Sequence, residues 1–229
     1  TPIINFMGGE PTLHPKFNDI FRNTYNDILP YTHLSVFTNG LMPDKVLDLM
    51  LEMAGPSGAR NKNVTFAILL NWQTLENISE KNHERCKEVA EKMLRTNGYS
   101  VTFSLNLYSK DQDLEKQCEE IDAIYQKVGL PKDKLYKIRV SPAFPIIGGE
   151  ANIYLPIRDY PKVGRQMLKI LERFPQMCYR FDCSFPPCFL DEIEEDQFSL
   201  TDRFFFHGNK QLPPTEEWKN NDYYFGCAD

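Results

Sequence analysis

Apolar and polar positions along this chain follow two alternating rhythms, one repeating every two residues and one repeating about every 3.6. The opening run Ile3-Ile4-Asn5-Phe6 reads as a strand that stops at Met7-Gly8-Gly9-Glu10-Pro11. Two glycines let the backbone come close to a neighbour, Pro11 forbids continuing the strand, and Pro15 precedes a helical pattern. That pattern sets Phe17, Ile20, Phe21, Tyr25, Ile28 and Leu29 on one face of a helix over residues 17–29. Residues 33–38 read as a strand closed by the turn pair Asn39-Gly40. A second helix is expected from about Pro43 to Ala54, with proline suited to its first turn.

Val64 to Leu70 is almost wholly apolar, as in a strand covered on both faces. Ser79 and Asn82 are the two candidate caps for a helix whose stripe is Cys86, Val89, Ala90, Met93 and Leu94, with a stop at Asn97-Gly98. In the next strand, Val101, Phe103, Leu105 and Leu107 alternate with Thr102, Ser104 and Asn106. Such a polar set in a central strand points to a wet interior or a ligand. A helix over 113–128, a strand over 135–140 and a helix over 160–174 follow, the last interrupted only by Gly164. Strand and helix thus alternate, the rhythm of a parallel sheet covered by helices. The rhythm leaves an open sheet and a barrel both available. The polar strand positions favour a curved sheet with an occupied interior, and the last segments are too irregular to finish an eight-unit barrel. After Phe174 the periodicity is lost, which divides the chain into a core of residues 1–175 and a small extension of residues 176–229. So little pattern makes the extension marginal by core burial alone, and an internal cross-link is expected there.

Composition adds limits. The 229 residues are 41 % hydrophobic and 25 % charged, enough for a substantial core. A net charge of -6 with scattered basic residues argues against a nucleic-acid partner. No apolar run approaches the length of a membrane span and no secretory leader is visible, so a cytoplasmic protein without a membrane partner is the expectation. The chain opens on Thr1-Pro2 without an initiator Met and closes on Gly226-Cys227-Ala228-Asp229, and material is expected beyond both ends.

Six cysteines carry the most distinctive chemistry. Cys86 and Cys118 fall on helix stripes and read as small buried hydrophobes. Cys178, Cys183, Cys188 and Cys227 crowd the last quarter, which in a reducing compartment suggests a metal rather than disulfides. A structural zinc and simple buried thiols are the alternatives. His14 sits at a helix start and orients the junction, while His33, His83 and His207 lack the spacing of a zinc site or triad. Arg139 lies between Ile138 and Val140; facing the interior it would bind a carboxylate, facing the helices it would form an ion pair. Tyr108, Phe144 and Tyr154 suit either the mouth of a barrel or its packing.

Met7-Gly8-Gly9-Glu10-Pro11-Thr12-Leu13-His14-Pro15 resembles the second-strand motif of the radical S-adenosylmethionine superfamily, and Val36-Phe37-Thr38-Asn39-Gly40 resembles its third-strand ending. The resemblance covers residues 1 to 175. It implies a partial (β/α)6 TIM-like barrel, its first unit missing here, with cofactors inside the carboxyl-terminal mouth. Gly8, Gly9 and Glu10 would contact the amino end of the methionine moiety. Asn71, Ser104 or Asn106, and residues from Val140 to Phe144 including Ser141, would reach ribose and adenine. Arg139 would take a carboxylate, and Gly148-Gly149-Glu150 would lie near the adenine end. The three-cysteine loop that binds the family's 4Fe-4S cluster belongs upstream of Gly8 and is not in this sequence. The expectation is that it is missing from the chain rather than lost by a degenerate scaffold.

The tail resembles the auxiliary-cluster extensions (SPASM or twitch type) that follow this core in related enzymes. Cys183 and Cys188 would be the first iron-sulfur ligands and Cys227 the third, with Cys178 or a cysteine beyond residue 229 as the fourth. The implied activity is reductive cleavage of S-adenosylmethionine to methionine and a 5'-deoxyadenosyl radical, which abstracts hydrogen from a peptide or small-molecule substrate. An external electron donor such as flavodoxin or ferredoxin would be needed. The alternative is a non-catalytic degenerate barrel acting as a binding or structural protein.

Overall fold

Phe17, Phe21 and Tyr25 recur every fourth position, and this apolar stripe turns the segment after Pro15 into helix α1 (Phe17–Ile28). The stripe packs on the first strand, β1 (Ile3–Phe6), where the Phe6 ring lies 5.8 Å from both Phe17 and Phe21. Ile20, expected on the same face, is 45 % exposed. At about 100° per residue the three buried rings span a narrow arc, and Ile20 falls outside it. The computed structural model describes residues 3–28, 33–54, 66–96, 99–129, 131, 135–143, 153–181, 189, 195–206 and 210–211.

Further alternation produces β2 (His33–Thr38), α2 (Asp44–Ala54), β3 (Phe66–Asn71), α3 (Glu80–Arg95), β4 (Tyr99–Leu107), α4 (Leu114–Val128), β5 (Tyr136–Pro142), α5 (Tyr160–Arg173) and β6 (Met177–Phe181). The short strands β7 (Phe204–Phe206) and β8 (Lys210–Gln211) follow. Of the two candidate caps for α3, Ser79 takes the role, its hydroxyl accepting from the Asn82 N–H at 3.4 Å. The same helix stops at Arg95, just before the expected Asn97-Gly98, with the Thr96 N–H closing on the Met93 carbonyl.

The chain forms two compact units, Thr1–Ser104 with Ala123–Leu130, and Leu105–Asp122 with Pro131–Asp229. In the first, β1, β2, β3 and the amino-terminal part of β4 lie side by side in that order, all parallel. Its core joins Leu34, Val36, Ile68 and Leu70 of the sheet to Leu47 and Met50 of α2 and Val89 and Met93 of α3. Trp72 meets Phe103 edge-on at 5.3 Å, and Phe103 meets Tyr125 at 5.7 Å. His83 is buried against Trp72, so it belongs to this packing.

In the second unit, β5 and β6 pair in parallel, β6 and β7 likewise, and β8 turns back antiparallel to β7. Along β5, Tyr136, Ile138, Val140 and Pro142 are buried while Lys137, Arg139 and Ser141 are half-buried, the alternation of a strand with one packed face. Helix α5 supplies Tyr160, Val163, Met167, Leu168 and Leu171 to the core.

Strands β1 to β6 alternating with helices α1 to α5 make this an α/β fold with the topology of a partial (β/α)6 TIM-like barrel and a carboxyl-terminal extension. The sixth strand lies beyond residue 175, in the stretch that the sequence pattern gives to the extension. Four of its five residues are buried, so it carries neither a two-residue alternation nor a helical period. No described helix is long and apolar enough to cross a membrane.

Candidate functional site

The carboxyl ends of parallel strands are where α/β folds of this type place their ligands, because loops there can vary without disturbing the sheet. In the first unit the β1 end is the turn Met7-Gly8-Gly9-Glu10, which runs into a short 3-10 turn at Pro11–Leu13. Gly8 and Gly9 have φ of 103° and 41°, the left-handed side that favours glycine, and a Cβ added at either would meet nothing within 4 Å. Both are exposed. The turn therefore offers open main chain at the end of a strand.

Glu10 is half-buried beneath that turn and caps the 3-10 segment. Its Oε1 accepts from the Thr12 N–H at 3.2 Å, the Thr12 hydroxyl at 2.5 Å and the Thr38 hydroxyl at 2.9 Å. Its Oε2 accepts from the Asn39 N–H at 2.7 Å. One side chain thus ties the end of β1 to the end of β2. The Thr38 hydroxyl in turn accepts from the Gly40 N–H at 3.1 Å, and Asn39 Oδ1 accepts from the Leu41 N–H at 2.9 Å. Helix α3 completes the arrangement from below, its Cys86 thiol donating to the Asn39 carbonyl at 3.0 Å. Burial, with the Glu10 charge as a smaller cause, pushes that thiol up to about 11.

Asn71, the last residue of β3, and Ser104, within β4, are register partners in the same unit, and the Trp72 N–H donates to the Ser104 carbonyl at 2.9 Å. Asn71 is half-buried, whereas Ser104 is 2 % exposed. In the second unit, Asn106 is exposed, and Arg139 and Ser141 are half-buried on the less covered face of β5. Arg139 and Arg180 are register partners on β5 and β6. Tyr108 is half-buried and Tyr154 is exposed. His14 is exposed, its Nδ1 accepting from the Lys16 N–H at 3.2 Å, which sets the junction geometry.

Cys86 and Cys118 are buried on their helix stripes, as the periodicity requires. Cys178 lies on β6, also buried, and its thiol donates to the Tyr136 carbonyl at 3.3 Å. Burial pushes it up to about 11. Cys183, Cys188, Cys227, His207, Phe144 and Gly148-Gly149-Glu150 lie outside the described residues. Among the described residues, no group of three His, Cys, Asp or Glu side chains could hold a metal ion.

The geometry brings together Gly8, Gly9 and Glu10 with two residues that the sequence reading did not single out as site residues, Thr12 and Thr38. Both were visible within the two quoted motifs. What a sequence does not reveal is that the acid of the first motif accepts from the threonine and turn amide of the second. No protein-family model matches the chain, and neither a curated protein nor a solved structure matches it.

Proposed function

We propose that this chain binds S-adenosylmethionine at the glycine turn after β1 and is a radical S-adenosylmethionine iron-sulfur enzyme acting on a peptide or small-molecule substrate. The observation that carries the reading is the open main chain of Gly8 and Gly9 at a strand end, tied by Glu10 to Thr38 and Asn39 at the next strand end. That arrangement suits a ligand bearing an amino-acid head, because exposed carbonyl and N–H groups complement an ammonium and a carboxylate. The two motifs that resemble the superfamily are the two parts that Glu10 joins, and the choice of ligand rests on that resemblance. Asn71 stands at the neighbouring strand end with amide groups suited to a ribose or adenine edge. Roles for Ser104, Asn106, Arg139 and Ser141 rest on the resemblance alone.

An iron-sulfur cluster, reduced by a flavodoxin- or ferredoxin-like donor, would supply the electron for sulfonium cleavage. The work of this chain's residues is to bind the methionine end, fix its orientation and exclude water around it. Cys183, Cys188 and Cys227 are the proposed thiolate ligands of an auxiliary cluster, with Cys178 or a cysteine beyond residue 229 as the fourth; the Cys178 thiol, buried in β6, donates to the Tyr136 carbonyl.

A second reading, a non-catalytic barrel serving as a binding or structural protein, is favoured by what the described residues do. The Glu10 carboxylate is engaged within the fold and Cys178 is a buried, hydrogen-bonded thiol. Anaerobic iron and sulfide analysis of the full-length protein, with and without Cys183→Ala, separates the two when run beside calorimetric titration with S-adenosylmethionine. Ligand binding together with iron that falls in the variant supports the enzyme. Binding without iron supports the scaffold, and no binding at all removes both forms of the ligand proposal.

A further inference from the structure

Charge is distributed unevenly among the strands. Strands β1 to β4 carry no Lys, Arg, Asp or Glu, whereas β5 and β6 carry Lys137, Arg139 and Arg180 and no acid. All three cations belong to the second unit. Arg139 and Arg180 are register partners on parallel strands, so their side chains leave the same face of strands spaced about 4.8 Å apart. The opposite face holds Ile138, Val140, Tyr179 and Phe181, all buried. The arginine face is the less covered one: Arg139 and Arg180 are half-buried, and half-buried Lys137 and Ser141 continue it along β5.

Parallel strands are usually apolar on both faces, and like charges set directly opposite each other repel. Partial burial strengthens that repulsion by removing screening water. An oxyanion between the two guanidiniums reverses the sign of the interaction, and the planar fork of arginine matches carboxylate and phosphate oxygens. Both side chains also take part in other contacts of the fold. Five N–H donors on each guanidinium suffice for such contacts and an added oxyanion together.

We infer that Arg139 and Arg180 form a clamp for an oxyanion, a carboxylate or a phosphate, and that the substrate is therefore an acidic one. The clamp stands without the S-adenosylmethionine reading; that its occupant is the substrate rests on it.

The test titrates the full chain with inorganic phosphate and, separately, with glutarate at constant ionic strength, following the arginine side-chain Nε resonances by nuclear magnetic resonance. Arg139 and Arg180 should shift saturably with one common Kd, while Arg22, exposed on α1, should not. Arg180→Gln should weaken binding about tenfold, the loss of one charge-assisted pair of bonds. Arg139→Lys, which keeps the charge and loses the fork, should fall between wild type and Arg139→Gln. Tighter binding of phosphate supports a phosphorylated substrate, and tighter binding of glutarate supports a carboxylate one. Three results overturn the clamp: no saturable shift with either anion, equal shifts at Arg22, or unchanged affinity in Arg180→Gln. Displacement of the anion by S-adenosylmethionine but not by its decarboxylated analogue overturns the assignment to the substrate. Should wild type not bind S-adenosylmethionine at all, the function proposed above fails while the anion titration still decides the clamp. If the variants do not fold, the wild-type resonances decide it.

Discussion

Gly164 on α5 sits directly against the backbone of Phe189: a Cβ at position 164 would lie 1.7 Å from the Phe189 carbonyl oxygen and 2.8 Å from its carbonyl carbon. Phe189 is buried there with its ring stacked on Tyr160 at 4.3 Å. The glycine that interrupts the α5 stripe is therefore a seat for another segment of main chain.

Two effects oppose each other in Gly164→Ala. Helix propensity favours alanine by about 1 kcal/mol. The clash is with backbone, which cannot rotate away, and overpacking of this kind costs about 3 kcal/mol. Net destabilisation of about 2 kcal/mol is expected in urea unfolding, with Lys169→Ala on the exposed side of the same helix within about 0.5 kcal/mol of wild type. An equal or higher midpoint in Gly164→Ala would show that Phe189 does not occupy this seat.

Gly8→Ala tests the turn from the opposite direction. No atom lies near the added methyl, so packing is untouched and only the φ of 103° opposes the change. Affinity for S-adenosylmethionine should fall at least about tenfold as the turn shifts to relieve strain of about 1–2 kcal/mol. Far-ultraviolet circular dichroism should stay at the wild-type value. Undiminished affinity would place the ligand elsewhere.

The buried thiols set a base-side limit on stability. Burial raises Cys118 from the ordinary 9.0 to about 12, and Cys86 and Cys178 to about 11. Once the pH passes about 9, the unfolded chain releases these protons while the folded one keeps them. Their contribution is fully present below that pH and is lost as the pH rises toward the folded values. Unfolding free energy measured between pH 8 and 10.5 should decline, and less steeply after Cys118→Ala. Identical slopes would mean that Cys118 ionises as readily folded as unfolded.

Metal content divides the four late cysteines. Cys178→Ala should lower stability but leave the iron of anaerobically reconstituted protein at the wild-type level, because its thiol is buried and bonded to the Tyr136 carbonyl. Cys183→Ala should lower the iron. Equal loss in both variants would assign Cys178 to the cluster.

Much of this architecture was legible because it rests on local periodicity. Phe17, Phe21 and Tyr25, or Cys86, Val89, Ala90 and Met93, bury themselves wherever a helix carries them, and Asn39-Gly40 turns regardless of its surroundings. Strand β6 was not legible, since Met177, Cys178 and Tyr179 are buried in succession and owe their pairing to β5, distant in sequence. The site divides along the same line. Gly8, Gly9 and Glu10 announce a special turn by residue type, but the partnership of Glu10 with Thr38 spans 28 positions and exists only once two strands lie side by side. Ser104 and Asn106, alike as polar residues at alternate positions of one strand, differ in the fold: Ser104 is buried and Asn106 exposed, a distinction that residue type does not carry.

Arg203 reaches back to the last turn of α5 and the start of β6, its guanidinium donating to the Leu171, Phe174 and Met177 carbonyls. The Leu171 carbonyl is one that a helix end leaves without an intrahelical partner. Trimming the chain at the point where its regular pattern fades, near residue 175, would remove the cation that finishes the helix before it. A piece of this protein that keeps these contacts at the end of α5 must extend past Arg203, so the residue belongs to the packing of that helix.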